Sequence, residues 1–268
     1  MKEHAYLYRC SEASYGSAQQ VLSMVYHTLH PRSVVDVGCG LGQWLKVSQD
    51  LGISEVLGID NAPIPPEDIW IASDFYRHHD LTQPFIPERT FDLAICLEVA
   101  EHLPEEAAPT LVNTLTDLSP VILFSAAVPF QLGYGHINLQ WIPYWIRLFE
   151  AKGYRPLDCI REKIWNNPGI QYYYRQNILL FVQRDLLTHH SVIRQLERES
   201  PVEVPDLVHP QLWEATLQTL NNKISYLERL VVYTQDENKS IRKAFHHLIN
   251  GLKRRIKGLF YYQAGLIL

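Results

Sequence analysis

The stretch SVVDV, residues 33–37, runs directly into the glycine turns GCGLG, and this junction constrains the fold more than any other feature. A short β-branched run without regular polar alternation is the pattern of a buried parallel strand. Glycines at 38, 40 and 42 let the backbone turn tightly and approach a ligand, and they leave amides free at the start of the following helix.

The alternation continues down the chain. Residues 11–30 are predicted to form a helix leading into SVVDV, and LGQWLKVSQDLG has helical spacing. SEVLGIDN reads as a second strand ending in an acid, and FDLAICLEV and PVILFSAAVPF as further strands separated by the amphipathic helix EEAAPTLVNTLTDLS. LQWIPYWIRLFEAKGY reads as a helix ended by Gly153, and QNILLFVQR as a last apolar strand. Strands alternating with helices predict an α/β chain with a parallel sheet covered on both faces. Ligands of such sheets bind beyond the carboxyl ends of the strands.

With 47% apolar residues among 268, the chain has a globular composition and room for one sizeable core. No apolar run approaches the roughly 20 residues of a membrane span. The first residues, MKEHAYLYRC, carry no apolar signal region, so a cytoplasmic location is expected. The four cysteines, Cys10, Cys39, Cys96 and Cys159, form no C-x-x-C pair, which argues against a zinc knuckle and fits a reducing compartment.

The net charge of −5 is unevenly distributed: from Lys239 onward there are seven Lys or Arg and no acid. The body is therefore acidic, which argues against nucleic acid as a partner. The division expected is an α/β domain over 1–185, a linker over 186–209 containing ERESPVEVPDLVHP, and a helical extension over 210–268. In that extension Trp213, Leu217, Leu220, Ile224, Leu227 and Val231 form a short heptad seam. A homodimer partner, or docking onto the α/β body, would satisfy it. The tail beyond Lys239 has the composition of an interfacial helix suited to peripheral membrane contact; a helix packed on protein with a solvated basic side meets the same pattern.

The chemistry-bearing residues cluster at predicted strand ends. Asp60 lies about 20 residues after the glycines, where a carboxylate can accept ribose hydroxyls, with Asn61 beside it. Asp80 and Leu81 follow an expected third strand and can meet an adenine edge, although Asp80 taken alone is better explained as a helix cap or turn residue. In CLEVAEHLP, Glu98, Glu101 and His102 stand at i, i+3 and i+4, and a helical turn would put all three on one face. His136 follows the fifth strand at the same sheet edge. Two carboxylates and two histidines suit Mg²⁺ or another divalent metal held by Glu98, Glu101, His102 and His136. Acid–base work by Glu101, His102 and His136 without metal, or a bracing role, remains open. Gln140, Trp141, Trp165, Tyr174, Arg175 and Asn177 mix aromatic and hydrogen-bonding groups in a way that suits a ring-shaped polar acceptor; a late strand and hairpin with one solvated face suits 161–177 equally.

The segments VVDVGCGLG, VLGID, DL and FDLAICLEVAEHL, in that order, resemble class I S-adenosylmethionine-dependent methyltransferases. The glycine loop lacks the G-x-G-x-x-G spacing of a dehydrogenase. The resemblance implies a Rossmann-like, doubly wound, mostly parallel seven-stranded sheet with the helical extension appended. It implies S-adenosyl-L-methionine as cofactor, with Asp36, Gly38 and Gly40 near its methionine part, Asp60 at the ribose, Asp80 and Leu81 at the adenine, and Glu98 beside it. The E-x-x-E-H cluster with a later histidine is similar to the metal site of RNA 3′-terminal 2′-O-methyltransferases. Later blocks resemble a bacterial group from polysaccharide and natural-product gene clusters. That implies O-methylation of a small-molecule acceptor, a glycosyl one included. Methylation of nitrogen or a carboxylate, and a non-enzymatic cofactor-binding assembly or membrane-tethering protein, are the alternatives.

Overall fold

The computed structural model describes residues 2–233 together with His247, Asn250 and Gly251. The basic-tail expectation falls largely outside the described residues. The chain opens with α1 (Lys2–Leu29), β1 (Ser33–Val37), α2 (Gln43–Asp50), β2 (Glu55–Asp60), β3 (Tyr76–His78) and β4 (Leu93–Leu97). It continues through α3 (Ala108–Leu118), β5 (Val121–Ser125), α4 (Ile142–Glu150), β6 (Tyr154–Leu157), α5 (Arg161–Ile164), α6 (Tyr172–Asn177) and β7 (Leu179–Gln183). It ends with α7 (Leu186–His189), α8 (Ser191–Glu199) and α9 (Pro210–Tyr233).

Seven strands form one sheet in the order β3-β2-β1-β4-β5-β7-β6. β1 to β5 are mutually parallel, and β7 runs antiparallel to both β5 and β6. The seven-stranded, mostly parallel sheet thus has the expected Rossmann-like form. Strand order reverses between β1 and β4, the kind of switch point beyond whose carboxyl ends the ligands of doubly wound sheets bind.

The period of two along each strand divides the core between the two faces. Val34, Leu93, Ile95 and Leu123 pack on one face with Ala18, Val21, Leu22 and Val25 of α1. Val35, Val37, Ala94, Cys96, Ile122 and Phe124 pack on the other with Leu111, Leu115 and Leu118 of α3. On this second face Phe149 of α4 stacks on Phe181 at 4.0 Å between ring centres and meets Phe124 edge-on at 5.2 Å.

Two expectations are corrected. Residues 186–209, read as a linker, contain α7 and α8, and Ile193 and Leu196 are buried in the first core layer. Charge and proline in the sequence masked the spacing of these apolar residues. The segment is also tied down by Arg161, which pairs with Asp158 Oδ2 at 2.6 Å and donates to the carbonyls of Gln176 (3.2 Å) and Pro205 (3.0 Å). Residues 161–177, for which a strand and hairpin were one reading, form α5 and α6, while the strand beside β7 is β6. Compact units divide at His209/Pro210, and α9 is a continuous helix of 24 residues.

Among the described residues no helix is long and apolar enough to cross a membrane. Cys39, Cys96 and Cys159 are buried free thiols. Phe149→Ala should lower unfolding free energy by about 3–5 kcal/mol, measured by urea denaturation, because it removes a ring stacked at the centre of one core layer.

Candidate functional site

The first half of the site is built from the turn after β1. Gly38, Gly40 and Gly42 all adopt positive φ (82°, 53° and 83°). A Cβ on Gly38 would lie 2.4 Å from Val99 Cγ2, so both conformation and space require glycine there. Asp60, at the end of β2, fastens this turn: Oδ2 accepts from the Gly40 amide and Oδ1 from the Ala62 amide, each at 2.7 Å. Each oxygen keeps a further lone-pair direction for a ligand hydroxyl. Asp36 is buried beneath the turn, and burial first, then the charge of Asp60, pushes its carboxyl well above the usual range.

Asp80 holds its own turn. Its Oδ1 accepts from the Thr82 amide at 2.9 Å and from Thr82 Oγ1 at 2.8 Å, and these bonds draw its carboxyl below the usual value. Leu81 is buried and Asn61 is exposed.

The second half lies past β4. Glu98 follows the strand with φ 56°, a left-handed conformation costly for a residue with a side chain. Its amide donates to the Ser125 carbonyl at 3.0 Å and approaches Ser125 Oγ at 3.1 Å. Its carboxylate accepts from Gln131 Nε2 and from Asn177 Nδ2 (3.1 Å), and Asn177 Nδ2 also reaches Gln131 Oε1 at 2.9 Å. Burial raises the Glu98 carboxyl, while donors from Asn177, Ser125 and Gln131 oppose that rise.

The left-handed turn at Glu98 and the 3₁₀ turn Ala100–His102 divide the expected single face into two groups. Glu98 goes to the Gln131–Asn177 side. Glu101 and His102 instead meet His136, and one ligand atom from each of these three lies within 4.8 Å of the others. Glu98 does not belong to this group, so the expected four-residue metal set reduces to three.

Glu101 is 0% exposed, and neither carboxylate oxygen has a hydrogen-bond partner among the described residues. Its main-chain carbonyl, by contrast, accepts from Ile137 (2.8 Å) and Asn138 (3.1 Å), which fixes the loop after β5. Burial and then the charge of Glu98 push the Glu101 carboxyl well up; the nearby amides of Glu101 and Ala127 offset this without closing a hydrogen bond. Burial of its polar edge, then His136, takes His102 down to about 4, opposed by the Gly135 backbone, although part of the ring is open to solvent. Burial also lowers His136, opposed by its bond to the Gln131 backbone. The two rings sit 5.0 Å apart and nearly perpendicular, at 81°. His136 Nε2 is 3.9 Å from Glu101 Oε1, and with one group pushed up and the other down this contact is not an ion pair.

The expected acceptor residues are dispersed. Tyr174 is buried against Trp44, 5.1 Å between ring centres, and its hydroxyl meets Ser14 Oγ at 3.2 Å. Arg175 is buried and donates to the Trp165 carbonyl at 2.9 Å. Trp165 packs against His209. These three belong to packing around α5 and α6, and the helical turn of α6 directs Tyr174 and Arg175 away from the position a strand would have given them. Asn177 is in the site, holding Glu98. Gln140 donates to Asn138 Oδ1 at 3.0 Å, and Trp141 is exposed just before α4. Gln131 and Asn138 were missed; their only sequence signal is their place in the loop that supplies His136.

Residues 18–157, just over half of the chain, match a family model described as "Methyltransferase domain". The crystal structure of Streptomyces venezuelae DesVI superposes with a TM-score of 0.51 at 13% identity, covering 68% of this chain and 97% of that one. The sugar N-methyltransferase KedS8 from Streptoalloteichus sp. ATCC 53650 gives 0.49 at 16% identity, covering 66% and 91%. The ribosomal RNA large subunit methyltransferase E of Caulobacter sp. (strain K31) is 30% identical over 60 residues, which is 22% of this chain and 25% of that relative's length.

Asp60→Ala removes the acceptor of two backbone amides and of any ligand hydroxyl. It should weaken S-adenosylhomocysteine binding by about tenfold or more, read by isothermal titration calorimetry.

Proposed function

Because the chain belongs to the methyltransferase-domain family and uses S-adenosylmethionine, we propose that it methylates a hydroxyl oxygen of a neutral small molecule, a sugar or natural-product acceptor. The observation that carries this reading is the group formed by Glu101, His102 and His136: a fully buried carboxylate without a partner, faced by two imidazoles. A carboxylate acceptor is already ionised and needs no such group, and an amine gives up its proton far more readily than an alcohol.

The donor half of the site suits the cofactor. The turn at Gly38 is a cradle that a Cβ would fill, and Asp60 retains lone pairs for ribose hydroxyls. Asp36, Gly38 and Gly40 would border its methionine part, Asn61, Asp80 and Leu81 its base, and Glu98 the region between donor and acceptor. The cofactor supplies an electrophilic methyl group on a sulfonium centre. The chain must hold an oxygen in line with it and take up the hydroxyl proton.

For the acceptor half, we assign a divalent cation, such as Mg²⁺ or Mn²⁺, to Glu101, His102 and His136. An orphaned carboxylate buried this deeply is costly unless it is protonated or matched by positive charge. Such an ion would favour the ionised form of an acceptor hydroxyl. The two imidazoles, both pushed toward their neutral forms, present lone pairs as ligands or as proton acceptors.

The acceptor class is argued from charge. Between Asp117 and Arg147 there is no Asp, Glu, Lys or Arg, and this stretch includes the whole loop that supplies His136. Leu132 and Ile137 in that loop are 59% and 66% exposed, and Trp141 is also exposed. Apolar and aromatic faces beside neutral hydrogen-bonding groups suit a sugar ring or an apolar natural product. An RNA acceptor would call for cations to meet its phosphates.

Mn²⁺ titrated into the metal-free protein should bind with one-to-one stoichiometry, and Glu101→Gln should abolish that heat; full turnover in excess chelator refutes the metal assignment. His136→Ala should lower kcat by about 10²-fold or more. A mass-resolved screen should find methyl gain on neutral glycosides or related alcohols; gain on oligoribonucleotides alone would overturn the acceptor class.

A further inference from the structure

Gln131 has no role in the reading above, yet it joins both halves of the site. It is buried, 3% exposed, in the loop following β5. Its amide donates to the Val128 carbonyl at 3.0 Å. Its side chain donates through Nε2 to Glu98 and accepts at Oε1 from Asn177 at 2.9 Å. Its main-chain carbonyl meets His136 Nδ1 at 3.0 Å. Every polar group of this residue is therefore engaged, and the four partners come from β4, the β5 loop and α6.

The last contact determines a tautomer. A carbonyl oxygen only accepts, so Nδ1 must carry the proton, and in the neutral ring Nε2 carries the lone pair. That lone pair belongs to the nitrogen lying 3.9 Å from Glu101 Oε1. The ring is seated against Gly133, where a Cβ would lie 2.1 Å from Nε2, so the seat exists only because that residue is glycine.

We propose that Gln131 is a positioning residue that fixes the donor-side carboxylate of Glu98 and the acceptor-side imidazole of His136 as one unit, with His136 held as its Nδ1–H tautomer. The side-chain bonds to Glu98 and Asn177 anchor the residue, and the anchored carbonyl sets the ring. The separation between methyl donor and acceptor oxygen then depends on a residue that touches neither. The catalytic consequence rests on the acceptor reading above, whereas the tautomer does not.

The test is ¹⁵N-resolved NMR of the histidine side chains in the full-length, metal-free protein, with kinetics alongside. Wild-type His136 should show a protonated Nδ1 and a bare Nε2. Gln131→Met, which keeps the length and removes both amide bonds, should give the mixed tautomers of an unanchored imidazole. It should also lower kcat by about 10²-fold with a smaller change in the KM for S-adenosylmethionine. A wild-type His136 protonated at Nε2 overturns the proposal without recourse to any variant. So does a folded Gln131→Met protein that keeps the Nδ1–H form and full kcat. If the tautomer behaves as expected but no neutral hydroxyl acceptor is methylated, the acceptor reading fails and the positioning role stands.

Discussion

The parallel pairing of β1 with β4 is the constraint on which the rest of the molecule depends. Val34 pairs with Leu93 and Asp36 with Ile95, so the two strands end side by side at the point where the sheet changes winding direction. Beyond such ends, the helices on the two faces of a doubly wound sheet diverge and leave room for a ligand. Here the glycine turn follows β1 and the Glu98 turn follows β4. Neither group of residues could meet the other without this hydrogen-bonded ladder.

The carboxyl ends of the strands have two electrostatic regimes. At the end of β2, Asp60 is matched to two backbone amides, Gly40 in the glycine turn and Ala62 beyond the strand. Past β4, the buried carboxylates are unequally satisfied. Glu98 is stabilised by two side-chain amides, whereas Glu101 has none. An unmatched carboxyl is expensive to maintain, and Glu101 is buried beside two imidazoles. Strain at Glu98 fits the same pattern, since a left-handed residue persists only where surrounding contacts over-determine it.

The loop between β5 and α4 does two jobs with one sequence. Its buried polar residues, Gln131 and Asn138, face the protein, while Leu132 and Ile137 face outward. Main-chain bonds from Ile137 and Asn138 to the Glu101 carbonyl join this loop to the β4 turn.

Much of this was legible in the sequence because it depends on local regularities. Buried strands announce themselves by β-branched runs, glycine turns by spacing, and donor-side residues such as Asp60 by their place at a strand end. The sequence by itself therefore determined the alternation of strands and helices, the mostly parallel sheet and the positions of the glycine turn and Asp60 at strand ends. Only the tertiary structure decided which of those groups act together. The φ of Glu98 separates it from Glu101, a separation invisible to i, i+3, i+4 counting. The helical turn of α6 buries Tyr174 and Arg175 but delivers Asn177 to Glu98. Gln131, an ordinary polar residue in an uncharged loop, becomes central through partners 33 and 46 positions away. Local periodicity reports which face of an element is apolar; the convergence of side chains from separate elements is set by long-range packing, which no short window of sequence contains.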